Sequence, residues 1–409
     1  MRKNIFLWAL YDFANSIIMI VFLFYFSQWL VIDSGKPDWW YNATLIVSSL
    51  LSILTVPIAG QRLDVTGRKL SGVRLTSGIM TLFYLSTALI MIWAPSQILV
   101  ATILFTLAMY FYLMSFIYYT PMINDLSTDT NRGWISGLGF GANYIGQVFG
   151  LLVTLPFATG AIKIFGAPNR VETLIPAIIL FVISALPLLL TYKENTAKQI
   201  FTKINISDEY AKVFQTIKTV FSIRNIALLL VAYFLFSDAL ITFGNNFPIF
   251  LEKVFGVTDK IKTYLSAGIL IMSGIGSFIF GKIADKKGTN LTLSVVLVAW
   301  IIIFPMLALA PSFFIASIIC LIAGLFYGPV WTISRAMISE FTPREIEARS
   351  FSFYTLAERF ATFIGPITWS VILTATAKSG NTSYSYALMS MGVLVLLGFL
   401  ILRKIESKT

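Results

Sequence analysis

The 409-residue chain contains no histidine and a single cysteine, Cys320. Without histidine it lacks the commonest general base and metal ligand, so zinc hydrolysis and Ser-His-Asp catalysis are not expected. One cysteine forms no intramolecular disulfide and no ligating cluster. Charge is scarce as well: 12% of residues are Asp, Glu, Lys or Arg, against about 25% in a soluble domain. No phosphate loop with G-K-[ST] occurs. The glycines at 137, 139, 141, 146 and 150 follow no strand, so they make no dinucleotide fingerprint; Gly137/Gly141 and Gly146/Gly150 instead fit small-xxx-small helix packing. These absences point away from an enzyme, a cofactor and a metal site.

What the chain has is apolar length. Hydrophobic residues make up 57% of it, too many for a surface that faces water. A helical span needs about 20 mainly apolar residues. Twelve such runs can be drawn, roughly at 5–32, 41–60, 72–93, 97–121, 134–160, 173–192, 224–251, 263–283, 290–310, 312–335, 350–374 and 383–403. They are too long for barrel strands and lack alternation. The expectation is an all-α membrane protein of twelve transmembrane helices, its solvent the lipid bilayer. Arg2 and Lys3 precede the first run, which has no small-residue cleavage site and reads as a permanent helix.

The formal charge is +11, from 30 Lys and Arg against 19 Asp and Glu. Placing the N-terminus inside puts 22 basic residues in inner loops and termini and 7 in outer ones. That bias predicts both termini in the cytoplasm, and it accounts for the positive charge without nucleic acid. The longest polar stretch separates the chain into an N-terminal six-helix bundle at 1–192, a cytoplasmic linker at 193–222 and a C-terminal bundle at 223–409. Residues 207–221 read as an amphipathic helix on the inner leaflet.

The halves echo one another. Gly60-Gln61-Arg62-Leu63-Asp64-Val65-Thr66-Gly67-Arg68-Lys69 follows the second run, and Gly281-Lys282-Ile283-Ala284-Asp285-Lys286-Lys287-Gly288 follows the eighth. Both read G-x-x-x-D-x-x-G in the corresponding loop of each half. Asp12 in the first run is likewise echoed by Asp238 in the seventh. Two such repeats place a solute site at their interface, near mid-membrane.

The first loop, continuing into Arg68-Lys69, resembles the signature of the major facilitator superfamily. Further stretches resemble its vacuole effluxer-like branch: Trp8 to Ser16, Asn124-Asp125-Leu126, Arg132 to Gly139, Phe236 to Thr242, and Ser334-Arg335 through Phe353-Tyr354 to Ile364-Gly365-Pro366. The chain departs from that pattern at Ala239 and at Glu358-Arg359. The resemblance implies a two-bundle facilitator fold, alternating access and export of a solute such as an amino acid. A shorter similarity, through Asp12 and Asp125, is to the cation-coupled glycoside permeases such as melibiose permease. The resemblance also implies an inner gate at Gly60, Asp64, Gly67, Arg68, Gly281, Asp285 and Gly288, with Asp64 and Asp285 reaching a helix N-terminus of the opposite half and pairing with Arg132 or Arg349. A plain tight loop anchored by Gly67 and Gly288 is the alternative.

Charge inside a span is costly, so the polar residues there need a reason. Asp238 lies 14 residues beyond Arg224, about 21 Å along a helix, with Thr242 and Asn245 on its face. Asp12 and Asn15 share a face of the first span, as do Asn143 and Gln147 of the fifth. Glu358 and Arg359 are adjacent, with Tyr354 a turn before; Arg359 can bind a carboxylate bidentately. Tyr327 and Trp331 make an aromatic pair in the tenth span. Each of these is read as a solute or coupling contact, against the alternative of polar or aromatic packing between helices. Asp238 and Glu358 are the expected carriers of any proton or sodium coupling, since a buried carboxyl is readily tuned to exchange a proton.

The resulting expectation is a secondary carrier of a small polar organic solute, amino acids first, coupled to protons or sodium. It would act as a monomer in a plasma or bacterial inner membrane. Rival readings are a cation-coupled sugar permease, a lysolipid translocator and a non-transporting receptor.

Overall fold

The computed structural model describes residues 2–128, 132–194, 215, 218, 221–341 and 362–405. Every regular element among them is helical, as the long apolar runs require: with no water in the bilayer core, each backbone polar group must be satisfied within its own segment. The principal helices are α1 (Arg2–Gln28), α2 (Asp38–Thr66), α3 (Lys69–Trp93), α4 (Ile98–Tyr119), α5 (Arg132–Ala158), α6 (Leu174–Thr191), α7 (Arg224–Phe255), α8 (Asp259–Lys287), α9 (Thr289–Ala308), α10 (Phe313–Phe341), α11 (Ile364–Ala375) and α12 (Thr382–Leu402). All but α11 contain a segment long and apolar enough to cross a membrane, eleven in total among the described residues. Eleven of the twelve expected spans are thus present in order among the described residues. For the eleventh, expected at 350–374, the described part is the shorter apolar helix α11.

The chain forms two compact units, Met1–Tyr210 and Ala211–Thr409. In the first, α3 packs on α4, α1 on α5 and α6, α2 on α4, and α3 on α6. In the second, α9 packs on α10, α7 on α11 and α12, α8 on α10, and α9 on α12. Each pairing of the first unit recurs six helices later, so the sequence repeat is also a repeat of packing. Most of the expected linker, with its amphipathic helix, lies outside the described residues.

Close approach of helices rests on small residues. A Cβ on Gly146 would strike the Phe13 carbonyl, and one on Gly150 would sit 3.1 Å from the Ile17 Cα, so α5 lies almost backbone to backbone on α1. Gly139 extends the same contact, against the Trp8 ring. The expected Gly137/Gly141 pair plays no such part, since a Cβ on either meets nothing within 4 Å. The packing face is 139/146/150, and 137 and 141 lie off it.

Two expected loops are mostly helix. Gly60 to Thr66 forms the last turns of α2, and Gly281 to Lys287 those of α8. The chain turns only at Gly67 (φ +63°) and Gly288 (φ +90°). Only glycine takes such angles without strain, so the last glycine of each G-x-x-x-D-x-x-G copy has a backbone reason. Gly60 and Gly281 have none of this kind: both are helical and open to a side chain.

Candidate functional site

The two echoed acids sit in corresponding places, each turned toward the fifth helix of its own unit. Asp12 is 7% exposed on α1. Asn143 of α5 directs its Nδ2 at Asp12 Oδ1 across 3.4 Å, and Gln147 Nε2 donates to Asn143 Oδ1 at 2.7 Å. Gly139 lets the helices meet there; its Cβ position is 3.4 Å from Asp12 Oδ2. Three of the predicted residues therefore form one side-chain chain, Gln147 to Asn143 to Asp12. Asn143 and Gln147 are half-buried.

Asn15, expected beside Asp12, is fully buried. It lies against the Tyr11 hydroxyl, which also meets Ser115 and is 2.6 Å from Ser77 Oγ. Asn15 thus lies beside a polar cluster of α1, α3 and α4, but neither its Oδ1 nor its Nδ2 makes a hydrogen bond among the described residues. The i, i+3 spacing put Asp12 and Asn15 on one broad face; the structure gives them separate neighbours.

Asp238 is fully buried on α7. Its Oδ2 accepts from the Gly365 backbone N–H at 2.7 Å, and Thr242 Oγ1 lies 3.4 Å from Oδ1. Phe363, with φ −130° and ψ −64°, is not helical, so α11 begins at Ile364. The Asp238 carboxyl thereby occupies the N-terminus of α11, where free N–H groups need acceptors. Gly365 is the residue that allows it. A Cβ there would collide with Thr242 Oγ1 and lie 2.9 Å from both the Asp238 carbonyl and its Oδ1. Sequence reading singled out Asp238 and Thr242 but missed Gly365 as their partner; its signal was the Ile364-Gly365-Pro366 triplet. Asn245 is half-buried, while Asn246 beside it is fully buried and donates to the Thr242 carbonyl at 2.9 Å.

The Tyr327 and Trp331 rings pack at a tilt with centroids 4.6 Å apart, and Trp300 of α9 meets Tyr327 at 6.1 Å. The Tyr327 hydroxyl reaches to within 3.1 Å of the Gly244 Cβ position, so the aromatic cluster joins α10 to α7 and α9.

Asp125 is exposed. It lies on a short helix, Ile123–Leu126, beyond α4, and pairs with Lys69 Nζ at 2.6 Å. Glu194, just beyond α6, accepts from the backbone N–H groups of Lys69 at 2.5 Å and Leu70 at 3.1 Å, capping α3. Arg74 Nε bonds the Leu189 carbonyl at 2.5 Å. Tyr192 is buried here, and that burial, with the Asp125 and Glu194 charges, pushes its hydroxyl up to about 12. The signature around Gly67 is thus fastened to the ends of α4 and α6 within one unit. Sequence reading missed Glu194 because a carboxylate two residues past a span reads as ordinary loop.

Among the remaining gate residues, Arg68 and Asp285 are exposed. Tyr354, Glu358, Arg359 and Arg349 lie outside the described residues, as do the side chains of Asp64 and Arg132.

Twelve apolar helices in two repeated units, with buried acids echoed between them, define a polytopic membrane transporter. The chain belongs to the Major Facilitator Superfamily, whose family model matches residues 5–366 and again 229–409. It is 22% identical to the MFS-type transporter YxiO of Bacillus subtilis, over 96% of this chain and 93% of that one. It is 23% identical to autophagy-related protein 22 of the yeast Vanderwaltozyma polyspora, over 47% of this chain and 38% of that protein. In fold it is similar to an inward-facing bacterial homologue of the human lysosomal transporter Spinster (TM-score 0.72, 13% identity, 99% of this chain and 98% of that one). The nucleoside transporter NupG is comparably similar (TM-score 0.71, 14% identity, 99% and 100%). The chain is therefore an integral membrane protein of a plasma or bacterial inner membrane that carries small-molecule solutes, not an enzyme.

Proposed function

We propose that this carrier works by alternating access as an ion-coupled secondary transporter of a small polar organic solute, with amino acids as the favoured class. In this reading it belongs with the vacuole effluxer-like branch, both termini are cytoplasmic, and residues 193–222 link the bundles 1–192 and 223–409. The observation that carries it is the Gln147–Asn143–Asp12 chain. It offers a carboxylate for an ammonium group, flanked by amides that donate and accept. Arg359, adjacent to Glu358, is assigned to the solute carboxylate. Asp64 and Asp285 are assigned to the inner gate with Arg132 and Arg349.

A sugar permease is the second reading, favoured by the same amides, which suit hydroxyl groups. It draws on Asp125 as well as Asp12, and the Lys69–Asp125 pair counts against it.

Reconstitution into liposomes and counterflow of a labelled amino-acid mixture test the proposal. Saturable exchange that Asp12→Asn abolishes is the expected result. Exchange of labelled sugars, with none of amino acids, would overturn it in favour of the permease.

A further inference from the structure

Between α5 and α6 the chain forms a compact loop at residues 159–168 whose tip is apolar: Ile162, Ile164 and Phe165 are 43%, 60% and 37% exposed. Such side chains would ordinarily fold back against the protein. Here the backbone forbids it. Glu172 is fully buried, and its carboxylate accepts from the N–H groups of Ile164 at 3.0 Å, Phe165 at 3.0 Å and Ala167 at 2.9 Å. Gly160 and Gly166 turn the chain at either end of the tip, with φ of +76° and +69°. The Ile162 N–H bonds the Pro156 carbonyl at 3.1 Å. Beyond the loop, Arg170 pairs with Asp33 at 2.6 Å, tying its base to the end of the first span. The tip is therefore held outward by bonds that a floppy loop would lack.

We infer that this loop is a membrane-interface anchor, its three apolar side chains inserted among the lipids at the bilayer surface. Three observations select lipid as the occupant. The α3 and α6 faces beside it already expose apolar side chains such as Ile183, 62% exposed, so the tip continues the lipid-facing surface of a transporter. Lys163 stands between Ile162 and Ile164, where an ammonium group reaches lipid phosphate while its stem lies along the acyl boundary. Helices that alternate in direction bring the α2 start and the α3 end to the same end of the unit, and there Trp39 and Trp93 are 47% and 71% exposed. Indole rings concentrate at the membrane–water boundary. The inference is independent of which solute is carried.

The test uses the full chain with Cys320→Ser as background, reconstituted in phosphatidylcholine–phosphatidylglycerol vesicles. Ile164→Cys, and separately Ile162→Cys, carries an environment-sensitive fluorophore; Ser379→Cys in the polar loop before α12 is the water reference, and Ile183→Cys the deep reference. The expected result is blue-shifted emission at 162 and 164, quenched several-fold more by lipids spin-labelled near the headgroup than by lipids labelled deep in the chain. Ile183→Cys should show the reverse order. With the label moved to Lys163→Cys, the triple change Ile162→Ser, Ile164→Ser and Phe165→Ser should abolish quenching, excluding insertion by the fluorophore itself. Water-like, unquenched emission at 164, matching Ser379→Cys, would overturn the inference. So would blue-shifted emission that lipid labels fail to quench and that fades as the protein is diluted in lipid, since that marks contact with a second copy.

Discussion

Asp12 and Asp238 occupy equivalent positions in the two units, yet they are satisfied in different ways. In the first unit the fifth helix runs unbroken past the acid and offers side chains, Asn143 backed by Gln147. In the second, the acid sits where α11 begins, and it bonds a backbone N–H at 2.7 Å. Side-chain amides swing on two or three torsions and can exchange one partner for another; a backbone N–H at a helix start cannot. The same sequence echo thus yields an acid held by exchangeable side chains, which the proposed function assigns to the solute, and an acid bonded to the start of a helix. Repeats copy packing more faithfully than they copy chemistry.

The largest effect should come from filling the space at α11. Gly365→Ala forces a Cβ against Thr242 and Asp238, and overpacking of this kind costs about 1–3 kcal/mol. Asp238→Ala leaves the Gly365 N–H without its acceptor, a penalty of about 1–3 kcal/mol. Both should lower the thermal unfolding temperature in detergent. Because they break one contact, the double variant should lose less than the two losses added. Gly139→Ala is the counterpart in the first unit. Its Cβ meets the edge of the Trp8 ring, which can shift, so a smaller loss is expected. Equal losses at 365 and 139 would erase the contrast between the two acids.

Conservative replacement of the acids is next in size. Asp238→Asn keeps a carbonyl oxygen for the Gly365 N–H, so stability should fall by no more than about 1 kcal/mol. Asp12→Asn should change unfolding little and abolish amino-acid counterflow. The decisive measurement is both properties on both variants. If Asp12→Asn transports normally while Asp238→Asn is folded and inactive, the assignments exchange places.

The fold was largely legible because its signals are long. Apolar runs of 20 or more residues leave few alternatives, and the absence of histidine removed zinc and Ser-His-Asp chemistry. Legibility fell where a single contact decides. The i, i+3 spacing could not tell that Asn15 turns to Tyr11 while Asp12 turns to α5. A glycine in an apolar helix looks the same whether open, as at Gly137, or pressed on a carbonyl, as at Gly146. Nothing in the apolar pattern of residues 362–374 marks Phe363 as non-helical or Gly365 as the partner of Asp238. Asp125 enters the site only through the permease resemblance, and nothing in the sequence signals its pairing with Lys69.

The smallest effect concerns the starts of α3 and α9, another corresponding pair. Lys69, the first residue of α3, forms an ion pair with Asp125 beyond α4. Thr289, the first residue of α9, donates its hydroxyl at 2.6 Å to Glu340 near the end of α10. One contact joins two charges and the other joins a charge to a neutral group, at the same place in the repeat. Partly exposed ion pairs contribute about 0.2–1 kcal/mol and are screened by salt, whose Debye length falls to about 3 Å at 1 M. A hydroxyl–carboxylate bond depends far less on ionic strength. Lys69→Met should therefore destabilise at low salt and match the parent at 1 M salt, whereas Thr289→Val should lose a similar amount at both. Unfolding midpoints for the two variants at two salt concentrations provide the check. A salt-independent loss in Lys69→Met would mean that a short-range hydrogen bond to Asp125, not screened charge, fastens α3, and that the two units close this corner by the same means.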